Sequence, residues 1–351
     1  MLVVALLFVL IGSQVPVPGI NAESLAAQSI YGDASWSVRY SILALGTLPI
    51  LTVLAYAEIV GLLIPPLARW QAASLKNARR LRVILALLIF AVTAAQGFGI
   101  FLIFITMGLV ALDTVAMVTC LLSFVAVSAI LIWLIGNMRF PGVDDGLWCL
   151  VAVFALSELP SASVTLFEIL RVSELSAGAW AVLILALVVG LVAGVFLLKG
   201  ARRVLRRPVY PGGPRLAVPL AILLWPPFLV SIVGEYVLQL AISQAPHTLS
   251  RSPWLLDIIM LAGMIIFIPL VVYGYLRSDL AGRTKAESNR YLRTVLAPVA
   301  GAQILICVGF ALGNLLLGVT LFPKGPIFIT VICVAWALFD LVTKRHASQQ
   351  A

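Results

Sequence analysis

Charge is scarce in this sequence. Of 351 residues, 11 % are Asp, Glu, Lys or Arg and 62 % are hydrophobic. Mean hydropathy is +1.14. A soluble domain of this length needs far more charge to cover its surface, so that class is excluded. Histidine is nearly absent: His247 and His346 are the only two, in a predicted loop and tail without ligand spacing, which argues against a histidine metal centre. Cys120, Cys149, Cys307 and Cys333 fall inside predicted helices with no C-x-x-C pair, so small buried hydrophobes are expected rather than disulfides or thiolate metal sites. No nucleotide-binding loop occurs, and no serine has a plausible base partner. The chain is therefore expected to catalyse no covalent chemistry and to carry no cofactor. A basic leader is missing as well. The first hydrophobic segment, followed by Pro-x-Pro-Gly instead of a cleavage site, is expected to be retained.

What the sequence does have is long apolar runs. A bilayer core takes about 20 apolar residues per helix, and about ten such segments are present. Helices are expected near 1–15, 38–63, 82–105, 109–137, 146–166, 177–198, 217–243, 254–276, 293–317 and 326–343, making an all-α polytopic membrane protein. With the N-terminus inside, all 23 basic residues except Arg39, Arg171, Arg251 and Lys324 face the cytoplasm. Both termini are then cytoplasmic. The net charge of +9 reports topology and contact with anionic lipid, not nucleic acid.

Glycine and proline break this apolar sequence at informative places. Pro16-Val17-Pro18-Gly19 ends the first segment, and Gly46-Thr47-Leu48-Pro49 interrupts the second. Interrupted backbone at membrane depth is tolerated only where the freed groups face protein or a water-filled cavity, which points to a lined pore. Between them lies a small polar insert, 22–37, readable as a loop or as a half-helix folded back into the membrane. Pro65-Pro66 is expected to end the second helix and open a loop over 65–80. Ten helices would permit two inverted five-helix halves.

The order of these features resembles the SecY-type protein-translocation channel. Ile11-Gly12-Ser13 with Pro16-Val17-Pro18-Gly19-Ile20, then Arg39 and Ser41-Ile42-Leu43-Ala44-Leu45-Gly46, look like the family's first and second helices around its plug. Gln96-Gly97-Phe98-Gly99-Ile100 looks like the third helix. Trp133-Leu134, Gly142, Gly146 and Leu159-Pro160 follow the passage from fourth to fifth helix. Gly200, Arg202 and Arg203 resemble the stretch after the sixth helix, and Asp340 the tenth helix's aspartate.

The resemblance implies two pseudo-symmetric halves, 1–175 and 176–351, around an hourglass pore closed by a plug and opening sideways to lipid. Carried over residue by residue, the pore ring comprises Thr47, Leu51, Leu147, Val151, Pro227 or Phe228, and Cys333. Such apolar side chains dewet a narrow neck yet flex around an extended chain. The plug falls on Ala22, Ser24, Leu25, Ile30 and Tyr31, and the lateral gate on Glu58, Gln96 and Pro219. Arg202, Arg203, Arg206, Arg207, Arg277 and Arg283 fall in the partner-docking loops. Implied partners are unfolded polypeptide, a SecE-like and a SecG-like small membrane subunit, and lipid.

This sequence also departs from the family pattern. Thr47 is polar, Cys333 is small, Pro219 stands where an asparagine is expected, and Trp225-Pro226-Pro227-Phe228 has two prolines for the family's one. The insert and the loops 199–215 and 277–293 look short, which counts against docking of SecA or the ribosome and favours a specialised paralogue at the bacterial plasma membrane.

Several residues keep two readings. Glu58 is either a gate group, since ionisable residues inside a bilayer are functional by default, or a glutamate near the cytoplasmic funnel. Gln96 either meets Glu58 across the gate or glues helices together. Glu158 approaches the outer end of the fifth helix. The arginine cluster is an orientation signal or a docking patch. Gly190 and Gly194 form a packing motif. Tyr56, Trp70 and Trp254 read as interface anchors. Two rival functions stay open: a secondary transporter of a small solute, and a non-conducting scaffold derived from the channel.

Overall fold

Helix boundaries in this protein are set largely by glycine and proline. The computed structural model describes residues 1–21, 39–111, 113–138, 146–172, 177–205, 218–244, 253–280, 296–317 and 324–349. Among them run α1 (Leu2–Gly12), α2 (Leu48–Leu63), α3 (Pro65–Ala73), α4 (Leu75–Thr106), α5 (Thr114–Asn137) and α6 (Gly146–Val172). They are followed by α7 (Ala177–Leu205), α8 (Val218–Gln244), α9 (Pro253–Leu280), α10 (Ala297–Leu317) and α11 (Gly325–Gln349). Among the described residues, five helices are long and apolar enough to cross a membrane, and five shorter apolar stretches lie in α1, α2, α6, α7 and α11.

Several boundaries differ from the sequence expectation. The second helix begins at Leu48, not 38, because Gly46 turns the backbone left-handed (φ +48°) and Pro49 sits in the first turn, where its missing N–H is harmless. The stretch 65–80 is not a loop: Pro65 opens α3, and Ser74 caps α4, its Oγ accepting from the Asn77 N–H at 3.1 Å. The fifth helix, expected near 146–166, runs through the exposed Pro160 and on to Val172.

By its internal contacts the chain divides into two compact units, Met1–Phe140 with Asp144–Ile169, and Leu170–Ala351 with Pro141–Val143. In the first, α4 packs on α2, α3 and α5. Gly97 makes the α4–α5 approach close: a Cβ there would come within 2.9 Å of the Phe124 ring. One turn earlier, the buried hydroxyls of Thr93 and Ser128 share a hydrogen bond of 3.1 Å across the same seam. Asp113 caps α5 by accepting from the Ala116 N–H at 3.3 Å. Asp113→Ala is expected to cost about 1 kcal/mol, read as a lowered melting temperature in detergent; an unchanged melt would show the cap to be idle.

In the second unit α7 packs on α10, and α8 on α9, α10 and α11. Gly190 and Gly194 lie in the α7 seam. Added Cβ atoms would meet the Phe310 ring at 2.7 Å and Ile332 at 3.0 Å, so the G-x-x-x-G spacing does act in helix packing. Phe310 meets Phe328 edge-on, with centroids 4.8 Å apart. All four cysteines are buried, as expected.

Candidate functional site

The broken backbone that marked the sequence forms a collar in the first unit. Pro16 and Ser41 pair as an antiparallel bridge. The Val17 N–H donates to the Tyr40 carbonyl at 2.9 Å, and Ile42 donates to Val15 at 3.0 Å. Asn21 donates to the Leu109 carbonyl at 2.9 Å, which ties the same turn to the α4–α5 connection. Val17, Leu45, Phe101, Phe104, Leu109, Val110, Cys120 and Phe124 pack into one buried cluster around these bonds. Gly19 and Gly108 take left-handed φ values of 93° and 70°, which a side chain would resist. Both flanks of the insert are therefore held on one packed surface, and their backbone groups are paired with each other instead of with water. The plug residues Ala22, Ser24, Leu25, Ile30 and Tyr31 lie outside the described residues.

The ring candidates of the first unit stand in pairs one helical turn apart. Thr47, half-buried, precedes α2, and Leu51 is buried on it. Leu147 and Val151 lie in a run, 147–153, that is buried without a break, so this end of α6 is enclosed on every side. Phe154 follows, its ring against Gly46. Glu58 and Gln96 are both half-buried, on α2 and α4, which pack together. Glu158 is exposed on α6.

In the second unit Pro227, Phe228 and Cys333 are buried on α8 and α11, which are also in contact. Pro219 lies in the first turn of α8, and Arg202, Arg203 and Arg277 lie in α7 and α9, with their side chains outside the described residues. Arg206, Arg207 and Arg283 lie outside the described residues altogether.

The most informative polar group here is absent from the sequence-derived site. Pro226 and Pro227 have no N–H, so the carbonyls of Ile222 and Leu223, four residues back, lose their helical donors. The buried side chain of Gln303 on α10 supplies both: its Nε2 donates to the Ile222 oxygen at 3.0 Å and to the Leu223 oxygen at 2.9 Å. The Pro-Pro pair announced two unpaired carbonyls, but nothing local in the sequence says which helix provides the donor. Nor does the sequence pattern mark the ion pair in which Lys324 Nζ donates to Glu235 Oε1 at 2.6 Å; both groups are exposed, so it contributes little.

These helices define a multi-pass α-helical membrane protein, with apolar spans and paired backbone at the breaks. The SecY family model matches residues 41–223, just over half the sequence, from the collar to the turn of α8 just before the two prolines. The chain belongs to the SecY family, the family of protein-translocation channels. No curated protein matches it.

Proposed function

We propose that this chain is a protein-conducting channel that moves unfolded polypeptide across, or sideways into, a bacterial plasma membrane, as a specialised accessory translocase. The observation that carries the reading is the family match over 41–223, which includes Leu51, Leu147, Val151, Glu58 and Gln96. The buried apolar character of Leu51, Leu147, Val151, Phe228 and Cys333 supports their role as ring residues. The collar supports a plug role for the insert, because it fixes both flanks. In this reading the chain performs no covalent chemistry and takes its driving force from a partner. A SecE-like and a SecG-like subunit complete it, and both termini are cytoplasmic. The short arginine-bearing connections that follow α7 and α9 weigh against SecA and the ribosome as docking partners.

Photo-crosslinking from Leu51 and Leu147 to a stalled secretory chain in cells is the direct test. Adducts from both positions are expected, and none from lipid-exposed Leu122 or Ile266. Absence of any adduct with a nascent or exported chain removes the proposal. A second reading, a non-conducting scaffold, is favoured by one observation: residues 222–230 around Trp225-Pro226-Pro227-Phe228 are all buried. Adducts at Leu51 and Leu147 decide against it.

A further inference from the structure

We propose that Gln303 is a positioning residue that latches a hinge in α8, its amide standing in for the two main-chain donors that Pro226 and Pro227 lack. Four observations carry this. The two carbonyls it holds, Ile222 and Leu223, are the ones the prolines orphan in an i to i−4 ladder. Nε2 has two hydrogens and two acceptors, so the donor side of the amide is fully used. Gln303 is completely buried, and its Oε1 finds no partner among the described residues. A buried amide with an idle acceptor is costly, and an apolar side chain of the same length would avoid that cost. What the chain gains from glutamine at 303 is therefore its two donors.

Helices bend where the ladder is interrupted, and prolines are the usual cause. Here the interruption is bridged by a side chain from another helix. The direction of α8 on either side of Trp225 thus depends on α10, with which it packs. Opening the hinge means breaking two side-chain hydrogen bonds rather than unwinding a turn. The family match ends at residue 223, so the latch was not part of what identified the chain. The latch is independent of whether the chain conducts polypeptide, and it can be measured without conduction.

Hydrogen–deuterium exchange on the full chain in detergent reads the latch locally. In Gln303→Met, a near-isosteric change that removes the donors, amides within 224–232 are expected to exchange on the order of tenfold faster or more. Amides of α4 and α5 in the other unit should be unaffected. The Pro226→Ala/Pro227→Ala variant regains both main-chain donors and should exchange no faster than the wild type in this stretch. In that background Gln303→Met is expected to add less than about a twofold change, because the carbonyls no longer need the amide.

An equal acceleration in both backgrounds would show that Gln303 acts by packing alone, and overturn the proposal. So would wild-type exchange in Gln303→Met, or faster exchange in the double alanine variant. Should Gln303→Met yield no folded protein, the triple variant decides: recovered folded yield supports the latch, and continued failure overturns it.

Discussion

Gly325→Ala is expected to leave little folded protein, although it adds a single methyl group. Gly325 opens α11 against α10, and a Cβ there would stand 2.5 Å from the Cys307 Cα and 2.7 Å from its Sγ. A sulfur can rotate away, but a Cα moves only if a whole helix moves. Overpacking that displaces backbone costs about 3 kcal/mol or more, enough to lower the melting temperature by about 10 °C or to abolish recovery from detergent. Removing the sulfur with Cys307→Ala should fail to rescue it, because the Cα remains. Gly301→Ala on the same helix α10 is the control, since its Cβ would enter open space. A normal melt for Gly325→Ala, or rescue by Cys307→Ala, would show that the two helices are less tightly crossed than described.

Gly146→Ala should be nearly as severe, and for a related reason. Its Cβ would collide with the main-chain oxygen of Ile135 and lie 2.6 Å from that of Met138, the carbonyls where α5 ends. These oxygens belong to backbone, so the start of α6 has to shift, and with it the uninterrupted buried run that carries Leu147 and Val151. A loss of about 3 kcal/mol is expected in the melt, together with loss of crosslinks from Leu147. Gly136→Ala, whose Cβ meets nothing, should be neutral or stabilise by up to about 1 kcal/mol through helix propensity. Equal melts for the two variants would sink the prediction.

Hydropathy made the spans readable because lipid-facing helices need apolar residues on every side. α9 is the extreme case, with only 11 % of its most apolar window buried. Periodicity could not reveal α3, since nine residues that include Arg69 and Trp70 look like a polar connection. The start of α2 differs from the sequence expectation because Ser41–Gly46 is as apolar as a helix, and only the φ of Gly46 separates the two. Gly146 and Gly325 were visible as glycines, but what each touches lies on another helix. Gln303 shows the same limit: the orphaned carbonyls follow from Pro226-Pro227, whereas the donor that meets them is 80 residues away from Leu223. The candidate ring and gate came from likeness to a family, which assigns positions without distances.

The pairing of Val15 and Val17 with Ile42 and Tyr40 has a consequence for how this chain tolerates change. Because the segment they bracket departs from and returns to adjoining points, its length is decoupled from the register of α1 and α2. As a general rule, doubling the length of a closed segment costs only about 0.6 kcal/mol in closure entropy. Residues added or deleted between these pairs would therefore not re-thread either helix.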